Sequence, residues 1–166
     1  EVEEHRAETG EEALWTGSMF SGMPAYQISV IWSANLLKYA DSMFHGFLPR
    51  PASFLFLYLL GMFVLLRILN VNPWLAVVGA IAATSARSAS TSSSYFFVIL
   101  PAGHTSKANA IGYMPMVLGG VYMLYRGRMF LGAALLALFL GLQVMVNHVQ
   151  VSYYLAILLV LFVLAE

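Results

Sequence analysis

The sequence predicts an all-α, polytopic transmembrane helix bundle with an amphipathic interfacial helix near its start. Three observations carry the prediction. Of 166 residues, 60% are apolar and only 10% are charged, where soluble domains carry about 25%. Mean hydropathy is +0.78. Apolar runs of helix length recur along the chain, divided by short polar or Gly/Pro-containing breaks. Charges this sparse cannot cover a water-facing surface, so lipid is the expected solvent and membrane lipid an expected partner. A formal net charge of zero supplies no overall field for nucleic acid. Cysteine is absent, which removes disulfides and thiolate metal sites.

Residues 1–51 read as an outer loop. Glu1, Glu3, Glu4, Glu8, Glu11 and Glu12 make its start acidic; such a run forms a solvated helix face or offers a general base. From Ala25 to Leu48 the chain is apolar but periodic. Ile28, Ile31, Trp32, Leu36, Tyr39 and Met43 share one helical face, and Ser29, Ser33, Asp41 and His45 another. Lys38 and Asp41 make this a poor spanning segment, so a helix lying in the membrane interface is predicted. Pro49-Arg50-Pro51 ends it.

Residues 52–166 read as a bundle of about five spans. Ala52 to Asn70 is nearly continuous apolar chain, roughly 28 Å long as a helix. Pro73 starts the next helix, with Trp74 to Ala83 apolar before a Ser/Thr tract over Thr84 to Ser94. Two readings of the tract stand. The span runs on through part of it, its hydroxyls bonded to helix carbonyls, or Tyr95 to Leu100 is a separate interfacial or re-entrant piece. Pro101 to Asn109 is a polar loop. Ala110 to Tyr125 is a third span, kinked near Pro115. After Arg126-Gly127-Arg128, Met129 to Val146 is a fourth, with Ala133, Ala137 and Gly141 as a close-packing stripe. Val151 to Ala165 is a fifth. One helix from Met129 to Glu166 would measure about 57 Å, too long for one crossing. A hairpin at Asn147-His148-Val149-Gln150 is therefore predicted, although it lacks Gly or Pro. The chain opens on Glu1 and closes on Glu166 after an apolar stretch, and both ends read as cut from a longer chain.

Alternating spans place Arg67 and the Arg126-Gly127-Arg128 turn on one side, which favours that side as cytoplasmic. Arg50, Arg87 and Lys107 fall opposite, near span ends. The predicted localisation is multi-pass in a membrane, with the polar loops extracytoplasmic.

The residues able to carry chemistry fall in those loops. His104, Lys107 and Asn109, beside Thr105 and Ser106, form a donor cluster suited to a phosphate or pyrophosphate; the plain alternative is a solvated loop with a snorkelling lysine. Asn147, His148 and Gln150 lie between two apolar spans, and would share a face with Gln143 and Tyr154 if the helix continued. Polar groups at such positions face a cavity or merely satisfy a turn. Trp15, Tyr26 and Trp32 either stack on a sugar or anchor at an interface. His104, His148 and Asp41 match no metal-ligand spacing, so neither a protein metal site nor a cofactor is expected. No GxSxG, P-loop, GxGxxG or zincin motif occurs.

Several strings are longer and more specific. Glu8-Thr9-Gly10-Glu11-Glu12-Ala13-Leu14-Trp15-Thr16, Ser18-Met19-Phe20, Gly22-Met23-Pro24-Ala25-Tyr26-Gln27-Ile28, Ser93-Ser94-Tyr95-Phe96-Phe97, Ala102-Gly103-His104-Thr105-Ser106-Lys107, Tyr125-Arg126-Gly127, and Asn147-His148 followed by Gln150 and Tyr153-Tyr154 resemble, in order, the amino-terminal half of bacterial YfhO family proteins. That resemblance implies a fold like the GT-C class of glycosyltransferases. It implies transfer of a sugar from a polyprenyl-phosphate donor to a cell-envelope polymer acceptor on the outer face of a bacterial inner (plasma) membrane. It places the acidic catalytic residue upstream of Glu1, so the chain alone is expected to be inactive. His104 and Lys107 then meet the donor phosphate, Trp15 or Tyr26 the sugar, and Asn109, Asn147, His148 and Gln150 line the same face. The chain departs from the family at Pro101, where an acidic residue is expected, and over Thr84 to Ser92, a tract more polar than the family's. The alternatives are a transporter or flippase of lipid-linked envelope precursors and a non-catalytic membrane scaffold.

Overall fold

From Ala52 onward the apolar runs become helices, because stretches rich in Leu, Ala, Phe and Met favour helical backbone and leave apolar faces to pack. The computed structural model describes residues 2–11, 13–17, 21–25, 35–45, 48–86 and 104–165. In chain order the elements are α1 (Val2–Thr9), β1 (Trp15–Thr16), β2 (Met23–Pro24), α2 (Leu37–His45), α3 (Ala52–Ile68), α4 (Pro73–Ala86), α5 (Thr105–Tyr125), α6 (Met129–Met145) and α7 (Val149–Ala165). The strands form a two-stranded antiparallel ribbon with Trp15 opposite Pro24 and Thr16 opposite Met23. Glu4, Glu8 and Glu11, on and just after α1, are exposed. The Ser/Thr tract beyond Ala86, Pro101 and the first part of the Ala25 to Leu48 segment lie outside the described residues.

The breaks have local causes. Asn72 caps α4 by accepting the Trp74 N–H at 3.0 Å, with Pro73 in the first helical position. Four of the described helices end on a residue with positive φ: Gly10 at 73° after α1, Asn70 at 63° after α3, Gly127 at 77° after α5 and Asn147 at 55° after α6. Asn147 supplies the left-handed backbone expected of a glycine, since its short polar side chain tolerates that region better than most. The α6–α7 hairpin therefore forms without Gly or Pro. α5 runs unbroken through Pro115.

α5 is the central element, packed against α3, α6 and α7; α3 also pairs with α4, and α2 lies across α3 and α6. The core joins Leu57 of α3, Ala110, Tyr113, Met116 and Val117 of α5, Phe139 and Leu142 of α6, and Val151 and Leu155 of α7. The closest helix approach is at Gly120 and Gly132. A Cβ on Gly120 would lie 2.8 Å from the Leu136 nitrogen, and one on Gly132 2.9 Å from the Leu124 nitrogen. The predicted Ala133–Ala137–Gly141 stripe does not do this work: Ala133 and Ala137 are exposed, and Gly141 makes room for Leu37 of α2.

The predicted polytopic transmembrane bundle, and with it the multi-pass inner-membrane localisation, is corrected by the helix lengths. Among the described residues, no helix is long and apolar enough to cross a membrane. α3, α6 and α7 have 17 residues each, about 26 Å at 1.5 Å per residue against a hydrocarbon layer of about 30 Å. α5 reaches 21 residues, but its first turn is polar, with Thr105, Ser106, Lys107 and Asn109. The apolar runs include turn residues such as Leu69, Asn70 and Val146, and the left-handed Asn70 and Asn147 end the helices there.

Candidate functional site

The polar residues gather where α2, the Arg50 turn, the first turns of α5 and the end of α6 meet. A pocket of about 210 Å³ opens there, lined by Asp41, Arg50, Phe54, Thr105, Ser106 and Asn109, with Met145 and Val146 behind.

The short helix α2 brings the carboxylate. Leu37, Ala40 and Phe44 pack on the core, and Asp41 and His45 share that inward stripe, at helical spacings of three and four. Leu36, Tyr39 and Met43 are 78%, 66% and 60% exposed. The predicted amphipathic helix is thus turned the other way: its polar face looks into the bundle and the apolar stripe read from sequence looks out.

Asp41 is anchored from α5. The Tyr113 hydroxyl donates to its Oδ1 at 2.5 Å. Tyr113 is fully buried; burial first, then the neighbouring Asp41 carboxylate, hold its phenol well above its ordinary range, so it remains a donor. His45 Nε2 lies 3.8 Å from the same carboxylate oxygen, with its ring edge-on to Phe54 at 5.2 Å. Burial lowers the His45 pKa below the usual 6.5; Asp41 opposes the shift and Arg50 adds to it. The Asn109 amide also favours the charged imidazole, without a hydrogen bond of ordinary geometry to either ring nitrogen. His45 is therefore neutral near pH 7. Arg50 lies over the Phe54 ring, 5.9 Å from its centroid. The Asn109 Oδ1 is buried without a hydrogen-bond partner among the described residues, an acceptor left for a ligand or water to satisfy.

No family model, curated protein or solved structure matches the chain. The site therefore rests on the residues themselves.

Of the predicted site residues, Asn109 lines the pocket. His104, exposed, and Lys107, half-buried, stand in the same first turn of α5. His148 is electrostatically coupled to both: burial lowers its pKa, its own backbone opposes, and Lys107 and His104 push it further down. The His104 loop and the α6–α7 turn are thus brought together. Asn147 forms the turn and is exposed. Gln150 reaches away, its Nε2 donating to Tyr154 Oη at 3.3 Å on an exposed face. Gln143 does not share that face; it is fully buried on α6, with neither side-chain polar atom partnered among the described residues. Trp15 is exposed in the strand ribbon and is not among the pocket's lining. Tyr26 lies outside the described residues. Among the described residues, no group of three or more His, Cys, Asp or Glu is placed to hold a metal ion.

In sequence, Asp41 offers itself only as a metal ligand and Arg50 only as a topology signal, and nothing marks Tyr113; their grouping in one pocket comes from the fold. One signal was available. Asp41 is the last acidic residue before Glu166, and residues 42–165 carry six Lys or Arg (Arg50, Arg67, Arg87, Lys107, Arg126, Arg128) with no Asp or Glu.

Proposed function

We propose that this chain is part of a glycosyltransferase that moves a sugar from a polyprenyl-phosphate donor to a cell-envelope acceptor. The observation that carries the reading is the pairing, in one small pocket, of a single anchored carboxylate with a guanidinium and a set of hydroxyl and amide groups. The resemblance of the His104 and Asn147 strings to YfhO family proteins supports it, because those strings border the same pocket.

Glycosyl transfer needs three things from the protein: a base for the acceptor hydroxyl, positive charge for the phosphate leaving group, and polar contacts that orient the sugar. Asp41, in place of the upstream acid that the resemblance implies, takes the proton as the acceptor oxygen attacks the anomeric carbon. The bond from that carbon to the phosphate oxygen breaks, and its electron pair leaves with the polyprenyl phosphate. Arg50 and Lys107 meet the charge developing there. Thr105, Ser106 and Asn109 face the sugar hydroxyls. The Tyr113 hydroxyl fixes the carboxylate's orientation, and neutral His148 serves as a hydrogen-bonding group.

The test uses the full-length protein with a radiolabelled polyprenyl-phosphate sugar. Asp41→Asn keeps the shape and an acceptor for Tyr113 but removes the base. Transfer is expected to fall by about 100-fold or more, with donor binding little changed. Lys107→Ala is expected to weaken donor binding instead. Transfer at the wild-type rate by Asp41→Asn would remove Asp41 from the chemistry and the reading with it.

A further inference from the structure

The opposite end of α5 carries a second polar cavity that the proposed transfer reaction does not use. It measures about 180 Å³ and is lined by Ile68, Asn70, Tyr122, Met123, Arg126 and Arg128. From Thr105 and Asn109 to Tyr122 and Arg126 is 17 helical residues, about 26 Å along the axis, so no ligand of ordinary size touches both cavities.

We propose that this cavity is a binding site for a phosphate monoester or phosphate anion, held by Arg126 and Arg128. Arg126 is already posed for it. Its Nε donates to Tyr122 Oη at 2.8 Å, and its guanidinium lies over the same ring, 5.1 Å from the centroid. A guanidinium held by its Nε and stacked on an aromatic face loses little further freedom on binding and presents its terminal N–H groups to an oxyanion. Arg128 lines the same cavity two residues later, beyond the left-handed Gly127. Asn70 adds an amide from the α3–α4 turn. The third arginine nearby, Arg67, is committed elsewhere: its Nη1 donates to the Val71 carbonyl at 2.6 Å.

Among the described residues no carboxylate neutralises this charge. Among the described residues neither Arg126 nor Arg128 forms an ion pair with a carboxylate, and the acid-free stretch over residues 42–165 leaves none nearby in sequence. Two guanidiniums sharing a small cavity repel unless an anion joins them. Phosphate fits better than a carboxylate because its oxygens can accept from both forks at once, and the cavity is too small for a nucleobase stack or a duplex. The phosphate can come from a free anion or from a lipid headgroup. The exposed apolar residues next to the cavity in sequence, Leu69, Trp74, Met129 and Phe130, would receive acyl chains in the second case.

The test is calorimetric titration of the full chain with three probes: inorganic phosphate, dihexanoyl phosphatidic acid and dihexanoylglycerol. Phosphate and phosphatidic acid are expected to bind and dihexanoylglycerol not to. The R126Q/R128Q variant is expected to lose about tenfold or more in affinity, while Arg67→Gln, which removes equal charge per residue from the same end, keeps it. Equal affinity for phosphate and phosphatidic acid identifies a free anion as the source; tighter binding of phosphatidic acid identifies a lipid. Binding that survives the double variant, or no binding of either anion, overturns the proposal. Should the double variant not fold, the salt series on the unaltered chain decides: affinity must fall steeply as ionic strength rises, and affinity independent of salt overturns the site. Because the readout is binding, failure here leaves the sugar-transfer reading standing, and the reverse.

Discussion

The two ends of α5 are polar in different ways. At its start Asp41 meets Tyr113 across 72 residues of sequence, inside the packing of α2 against the bundle. At its end Arg126 meets Tyr122 four residues away, on an exposed helix surface. The first pair exists only because the tertiary fold brings it together; the second needs nothing more than one turn of helix. A part-buried long-range pair ties the site to the fold's stability, whereas an exposed local pair leaves its residues available for a ligand.

The contrast has measurable consequences. The largest is expected from Asp41→Ala, which leaves the buried Tyr113 hydroxyl without its acceptor. That should cost about 1–3 kcal/mol, while Arg126→Ala should stay within about 0.5 kcal/mol. Urea unfolding midpoints compare them directly, and equal losses would break the distinction drawn between the two ends.

Next come the turns. At the arginine end Gly127 has φ of 77° with nothing within 4 Å of an added Cβ, so Gly127→Ala meets only backbone strain, about 1 kcal/mol. The same unfolding measurement reads it; no loss would mean that the turn has rearranged.

The pH response should belong to the pocket end. His45 in the fold has a pKa below the 6.5 of an unfolded histidine. Above 6.5 it is neutral in both states and contributes no pH dependence. As pH falls from 6.5 towards the folded value the unfolded chain binds the extra proton, so stability drops, and the drop levels off once the folded form also protonates. His45→Phe keeps a ring against Phe54 and should flatten that part of the stability–pH curve. An unchanged curve would place the titration elsewhere, His148 being the other histidine with a lowered pKa. The smallest effect is at the pocket-end turn: Asn147→Gly should gain a few tenths of a kcal/mol, since glycine enters the left-handed region freely. A loss in thermal unfolding would show that the asparagine side chain outweighs its backbone strain.

Much of the helix layout was legible. The apolar runs beginning at Ala52, Trp74, Ala110, Met129 and Val151 mark α3 to α7; the break at Asn147 was expected too, but from a membrane-crossing limit that the helix lengths do not support. Two features were not. Periodicity in α2 offers two apolar stripes, Leu36-Tyr39-Met43 and Leu37-Ala40-Phe44, and spacing cannot tell which faces a core. The glycines that set the closest approach, Gly120 and Gly132, need the partner helix before their role shows. Reading run length as membrane thickness failed for a related reason, because a single left-handed asparagine ends a helix without altering hydropathy. For the pocket, Asn109, His104, Lys107 and His148 were singled out from polar residue type in loops and sorted to one side; that His148 stands near His104 and Lys107 needed the fold. Asp41 was not, because its partner lies on another helix.

The placement of Asp41 on α2 has one more consequence. Nine residues are too few to hold a helix in water unaided, so this carboxylate is positioned by what α2 leans on rather than by α2 itself. Phe44 against Phe139, 5.4 Å between ring centroids, and Leu37 against Gly141 are the footing. Weakening that footing would carry the acid out of the pocket while α3, α5 and α6 stayed packed, which makes the pocket's carboxylate a detachable part on a standing frame.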